Sequence, residues 1–178
     1  MKNQIFLFIT MIVLAFSCNK KVTEVEFSTG LSVTSDEISV NDTASRAISS
    51  GDFIAEFTLD LENDETREYL DKIENIDLEN VRLSFQGLAG LAGNQTPTHL
   101  KISFDNEVIF EWNNFIWDNV AGGEEFLITQ TDKIREVANI LQHRKKVNIK
   151  VEGQIPDTDT YHFFITLMAQ ANITAKAL

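Results

Sequence analysis

Hydrophobic residues fall on every second position through much of this chain, the period that puts them on one face of a β-strand. Phe53, Ala55, Phe57, Leu59 and Leu61 alternate with Glu56, Thr58 and Asp60, which predicts a strand with one buried and one wet face. Val81, Leu83 and Phe85 repeat the pattern, as do Phe126 with Ile128, and Val147, Ile149 and Val151. Leu100, Ile102 and Phe104 are followed by Asp105-Asn106 and then by Val108, Phe110 and Trp112, a strand, a tight turn and a returning strand. Tyr161 to Ala175 alternates over so long a run that a bend or bulge within it is expected. Leu31 and Val33, then Ile38 and Val40, separated by Ser35-Asp36, read as a small hairpin.

Two stretches change period. Asn63 stands as a helix cap before Asp64 and Glu65, and Tyr69, Leu70, Ile73 and Ile76 follow at helical spacing with a Glu68–Lys72 pair. Thr131 caps a second candidate helix, with Ile134, Val137, Ala138 and Leu141 on one stripe. Each helix is flanked by strands, and the second strand of each unit ends at a glycine, Gly87 or Gly153, the outline of a weak internal repeat. About nine strands against two short helices predict a mainly β fold, an antiparallel β-sandwich with two short helices. The competing arrangement is α+β, with two strand-helix-strand units.

Composition narrows the class. Hydrophobic residues make 43% and charged residues 24%, values of a globular domain. A formal charge of −12 repels phosphates, so nucleic acid is excluded as a main partner. There is one cysteine, Cys18, which leaves the fold to be held by packing alone.

The first eighteen residues supply an address. Lys2 precedes an apolar run from Ile5 to Ala15, and Ala15-Phe16-Ser17 leads into Cys18. The run is shorter than the roughly 20 residues a membrane-spanning helix needs, and the layout is that of an export signal. Its end resembles the lipobox of bacterial lipoproteins, in which a small residue precedes a cysteine that is lipidated and becomes the new N-terminus. That resemblance implies a signal peptide over 1–17, a lipidated Cys18 with a tether over 18–29, and a single β-rich domain over 30–178. The mature chain would hold 161 of the 178 residues and, without Lys2, a charge of −13. More loosely, segments such as Tyr69-Leu70-Asp71-Lys72-Ile73 followed by a strand are similar to lipoproteins of the Bacteroidetes group, which implies no activity. The expected place is the cell envelope, at the outer membrane through the lipid, on a face the sequence leaves open.

Candidate chemistry is sparse. His99, His143 and His162 are scattered singly, without the paired spacing of a zinc site, and no nucleophile elbow occurs. No cofactor is called for, and the chain is expected not to be an enzyme. Gly87, Gly90 and Gly93 do not match a phosphate-binding loop and read as a connection that tucks Leu88 and Leu91 under the sheet. His143-Arg144-Lys145-Lys146 is placed to stabilise a helix C-terminus. Asp60, Glu62, Asn63, Asp64 and Glu65, like Asp157 and Asp159, lack the calcium-loop pattern and read as caps and turns. Trp112, Phe115 and Trp117 lie among Asn113, Asn114, Asp118 and Asn119, a composition shared by sugar-binding surfaces and by the packed end of a core strand. Core packing is the first reading of these aromatics, and they are also the candidate ligand-binding residues. The function expected is a lipid-anchored, non-enzymatic envelope module for binding, adhesion or structure, with an envelope protein or polysaccharide as partner. The alternative is a carrier of an apolar or glycan ligand.

Overall fold

The computed structural model describes residues 23–41 and 51–177. Among the described residues nine strands, all paired antiparallel, form two sheets. The strands are β1 (Glu24–Thr34), β2 (Ile38–Val40), β3 (Asp52–Asp60), β4 (Ile73–Gln86), β5 (Pro97–Phe104), β6 (Glu107–Ile116), β7 (Glu125–Leu127), β8 (Lys146–Gln154) and β9 (Tyr161–Lys176). One sheet runs β1-β9-β4-β7, with β2 also on β9, and the other runs β3-β8-β5-β6. Two helices, α1 (Asp118–Ala121) and α2 (Thr131–Arg144), complete a mainly β, antiparallel sandwich. The alternative of two in-sheet strand-helix-strand crossovers does not hold. The connection from β3 to β4 and that from β7 through α2 to β8 both pass from one sheet to the other, in opposite senses.

The inner faces follow from the alternation. Leu83, Phe85, Ile102, Phe104, Ile149, Val151, Phe163 and Ile165 are all buried. At about 25 cal/mol per Å² of apolar surface removed from water, burial on this scale is the main force that holds the sandwich together without a disulfide.

Several expectations change. Residues 31–41 are not a hairpin, because β1 and β2 run in the same direction along β9. Between them three residues, 35 to 37, face two, 164 and 165. Ser35 makes this bulge: its N–H donates to Ile165 O (2.9 Å), and Ile165 N–H donates to Ser35 Oγ (3.0 Å). Residues 24–29, predicted as part of a tether over 18–29, are strand instead, since β1 starts at Glu24 and pairs with Lys176. The bulges expected inside β9 lie instead on its neighbours. β9 keeps its alternation, while β4 has register shifts between Ile73 and Asn75 and between Glu79 and Arg82.

The helix expected over 64–76 is absent. Asn63 does cap, its Oδ1 accepting from Glu65 N (2.9 Å) and Thr66 N (2.9 Å), but only turns and a single 3-10 turn at Leu70–Lys72 follow before β4. The second helix forms as expected, without a side-chain bond from Thr131 to cap it. α2 lies beside the first half of β4, beyond the point where β7 stops, and buries Val137, Ala138 and Leu141 there.

The register defines two ends. Glu24, Ile73, Lys146 and Lys176, with the Asp105-Asn106 turn, share one end, because Glu24 pairs with Lys176, Ile73 with Ala175 and Asp60 with Lys146. The connections at 87–96, 117–124 and 154–160 share the other.

Candidate functional site

The three aromatics singled out in the sequence are brought together, and the fold packs their rings against other rings. Trp117 is fully buried and Phe115 nearly so, their ring centroids 4.9 Å apart at 74°. Phe53 and Phe85 close around the indole edge-on, at 5.8 and 5.2 Å. The indole N–H, which needs an acceptor once buried, donates to Thr98 Oγ1 and Gln154 O, both at 2.8 Å. Trp112 is half-buried, stacked on Phe110 at 5.8 Å and edge-on to Phe126 at 5.3 Å, and so holds β6 against β7. A sugar needs an open ring face; Phe115 and Trp117 present none to solvent.

Cys18, the predicted lipidation residue, lies outside the described residues.

The glycine segment behaves as a structural connection: Leu88 and Leu91 are buried, and Gly87 sits at φ +110°. A Cβ there would come within 2.3 Å of His162 O. His99, His143 and His162 are exposed on three separate elements. Among the described residues no three of His, Cys, Asp and Glu are grouped to hold a metal. His143 Nδ1 lies 2.7 Å from Asn139 O, Arg144 reaches Asp105 at 2.5 Å, and Lys146 reaches Asp60 at 3.3 Å. The basic cluster is therefore engaged with the helix and its neighbours. Lys145 closes α2 in the left-handed region at φ +61°, and burial lowers the pKa of its amine, against the raising effect of Asp71.

Surface clefts are small and mostly polar. One of about 270 Å³ lies in the seam between β2 and β3, beside Asp36, Glu37 and Glu56. Another of about 320 Å³ opens among Thr96, Pro97, Gln154, Pro156 and Thr158 at the loop end.

That loop end is cross-tied; the turn roles of Asp157 and Asp159 follow the sequence reading, while their ties to Asn41 were not part of it. Asn41 Nδ2 donates to Asp157 O and Asp159 O, both at 2.9 Å, while Asn41 Oδ1 accepts from Gly51 N at 2.8 Å. Asp118 Oδ1 accepts from Gly93 N at 2.5 Å. Asp157 Oδ1 accepts from Thr158 N (2.6 Å) and Asp159 N (3.2 Å), and its Oδ2 accepts from the Tyr161 hydroxyl (2.9 Å). Bonds from Asp159, Tyr161 and Thr158 hold the Asp157 carboxyl below its usual range. Burial, then the bond to Asp157, pushes the Tyr161 phenol up to about 12. The signal available in the sequence was the density of Asn, Asp, Thr and Gly in these connections, the residues that bond the backbone of turns.

The chain matches no protein-family model and no curated protein. Among solved structures it is similar to the decameric BFDV capsid protein, with TM-score 0.43 and 10% identity, over 84% of this chain and 99% of that one. It is also similar to Desmodium yellow mottle tymovirus, with TM-score 0.37 and 9% identity, over 91% of this chain and 93% of that one. At these values the likeness carries no argument about what this chain does.

Proposed function

We propose that this chain is a lipid-anchored, non-enzymatic module of the cell envelope, attached to the outer membrane through Cys18 and acting in binding, adhesion or structure. The observation that carries the reading is the layout of the first residues, Lys2, the apolar run Ile5 to Ala15 and then Cys18, the one cysteine of the chain. Cys18 stands six residues ahead of the first strand at Glu24, so an anchor there would hold the sandwich on a short leash. The binding-module form is favoured over the carrier by the filled interior around Phe53, Phe85, Phe115 and Trp117. The polar character of the clefts points the same way, since an apolar cargo needs an apolar recess. An envelope protein or polysaccharide is the class of partner such a module serves.

Labelling cells with a fatty-acid analogue tests the anchor. The parent chain is expected to take up label and to fractionate with membranes, and Cys18→Ala to do neither. Equal labelling of the two would overturn the reading.

A further inference from the structure

We infer that the β1–β9 ladder is a mechanical clamp, loaded in shear between the anchor at Cys18 and a load applied at the loop end of the sandwich. The inference rests on the anchored reading above. Its physical content is set by the register.

β1 enters at Glu24 and runs away from that end along β9. Glu24 is the sixth residue after Cys18, a reach of at most about 20 Å at ~3.3–3.6 Å per residue, so a membrane anchor holds the Glu24 end near the bilayer. β9 is 16 residues long, which places the loop end roughly 50 Å further along at ~3.3 Å per residue. A pull on the loop end, resisted at Cys18, drags β1 along its own axis against β9. Every rung between Glu24↔Lys176 and Thr34↔Thr166 then resists together, rather than one after another.

The ladder is built for that direction. Its eleven pairs run from Glu24 to Thr34 with no register shift, whereas the β4–β9 pairing on the other side of the same strand is interrupted twice. Side chains tie the two strands across their exposed face: Ser28 Oγ donates to Asn172 Oδ1 (2.6 Å), Gln170 Nε2 donates to Ser28 Oγ (2.7 Å), and the Thr34 and Thr166 hydroxyls share a bond at 2.9 Å. Past the last rung, Ser35 bonds Ile165 through both its N–H and its Oγ, so the bulge acts as a stop against sliding. Phe27 packs on Tyr69 at 5.3 Å, and Asn63 Nδ2 donates to Thr29 Oγ1 at 3.1 Å, which ties β1 to the β3–β4 connection as well. At the loop end, the bonds made by Asn41 and Asp118 join separate connections, so a load there is shared between both sheets.

The same chain offers its own control. Ala177 N donates to Thr23 O at 3.0 Å, so the two termini of the described domain leave the fold side by side. Pulling on both termini peels β1 from β9 one pair at a time. Single-molecule force measurements on the mature chain, residues 18–178 without lipid, compare the two geometries. One uses handles on the Cys18 thiol and on Gly122→Cys, a loop-end position where a Cβ meets nothing within 4 Å. The other uses Cys18 and a cysteine added after Leu178. The first is expected to rupture at a force at least about twice the second, because bonds loaded in parallel share the load and bonds loaded in series fail singly. Ser28→Ala with Gln170→Ala should lower the first force and leave the second unchanged. Equal forces in the two geometries would overturn the clamp, whether or not Cys18 carries lipid, whereas loss of acylation with the force difference intact would sink only the anchored reading.

Discussion

At the scale of single residues, the sandwich depends on a few buried groups whose polar atoms are satisfied. Trp117 is the largest fully buried side chain, and its indole N–H joins Thr98 on β5 to the last residue of β8. Trp117→Phe keeps most of the packing but leaves Gln154 O without its indole donor, so a loss of about 1–3 kcal/mol is expected. Trp117→Ala adds a cavity and should cost about 3–5 kcal/mol, both read from urea unfolding followed by circular dichroism. Tyr161 gives a pH test. Its phenol ionises at about 12 in the fold against 10 in the open chain, so its contribution is complete below pH 10 and is lost as pH rises through 12. Absorbance titration should show an ionisation near pH 12 that disappears in Tyr161→Phe. A tyrosine component near 10 assigned to Tyr161 by that variant would contradict the buried, Asp157-bonded phenol. The sequence showed these aromatics as a cluster and gave core packing as its first reading. It left open which ring faced inward, because β6 has an extra residue between Trp112 and Phe115 opposite β5, which breaks the period of two where the face must be read.

Bulges at the scale of elements explain both the successes and the failure of the hydrophobic pattern. Strands with uninterrupted pairing, such as β3 on β8, were legible from alternation alone. β4 was not. The extra residues near Glu74 and Asn80 widen the spacing of its inward positions from two to three, at Ile73 to Ile76 and at Leu78 to Val81. A spacing of three imitates a helix, which is why Ile73 and Ile76 read as part of one. Asn80 takes the left-handed conformation at the second bulge, φ +53°, a role its short amide tolerates. The basic run at the C-terminal end of α2 was legible as helix-end chemistry, since cations there complement the dipole whatever the tertiary fold. Glycines separate the same way. Gly87→Ala meets His162 O and an unfavourable φ, so unfolding free energy should fall by about 2 kcal/mol or more, by the large penalty for alanine at positive φ. Gly122→Ala, with ordinary φ of −76° and open space around it, should change stability by less than about 1 kcal/mol in the same denaturation assay.

The whole molecule is a sandwich with two unlike seams. On one, the edge formed by β1 and β2 lies beside β3; on the other, β7 and α2 close the gap toward β6 through Phe126 and Trp112. Its ends also differ. Helix-end cations and carboxylates pair at the Glu24 end, and bonded loops gather at the other. An anchor at the first end would present the second to the surroundings, which is the arrangement an adhesive or structural module needs. The fold class could be read from the chain because burial on one face writes itself as alternation. The orientation could not, since it depends on which strand ends meet, a matter of pairing between residues more than a hundred positions apart. The central claim is that a lipid at Cys18 carries this sandwich. Intact mass spectrometry of the chain purified from membranes tests it most directly. A mass for residues 18–178 plus acyl groups, with the modified terminal cysteine found by fragmentation, is the result expected. A chain that starts at Met1, or one that starts at Cys18 with a free thiol and amine, would contradict it.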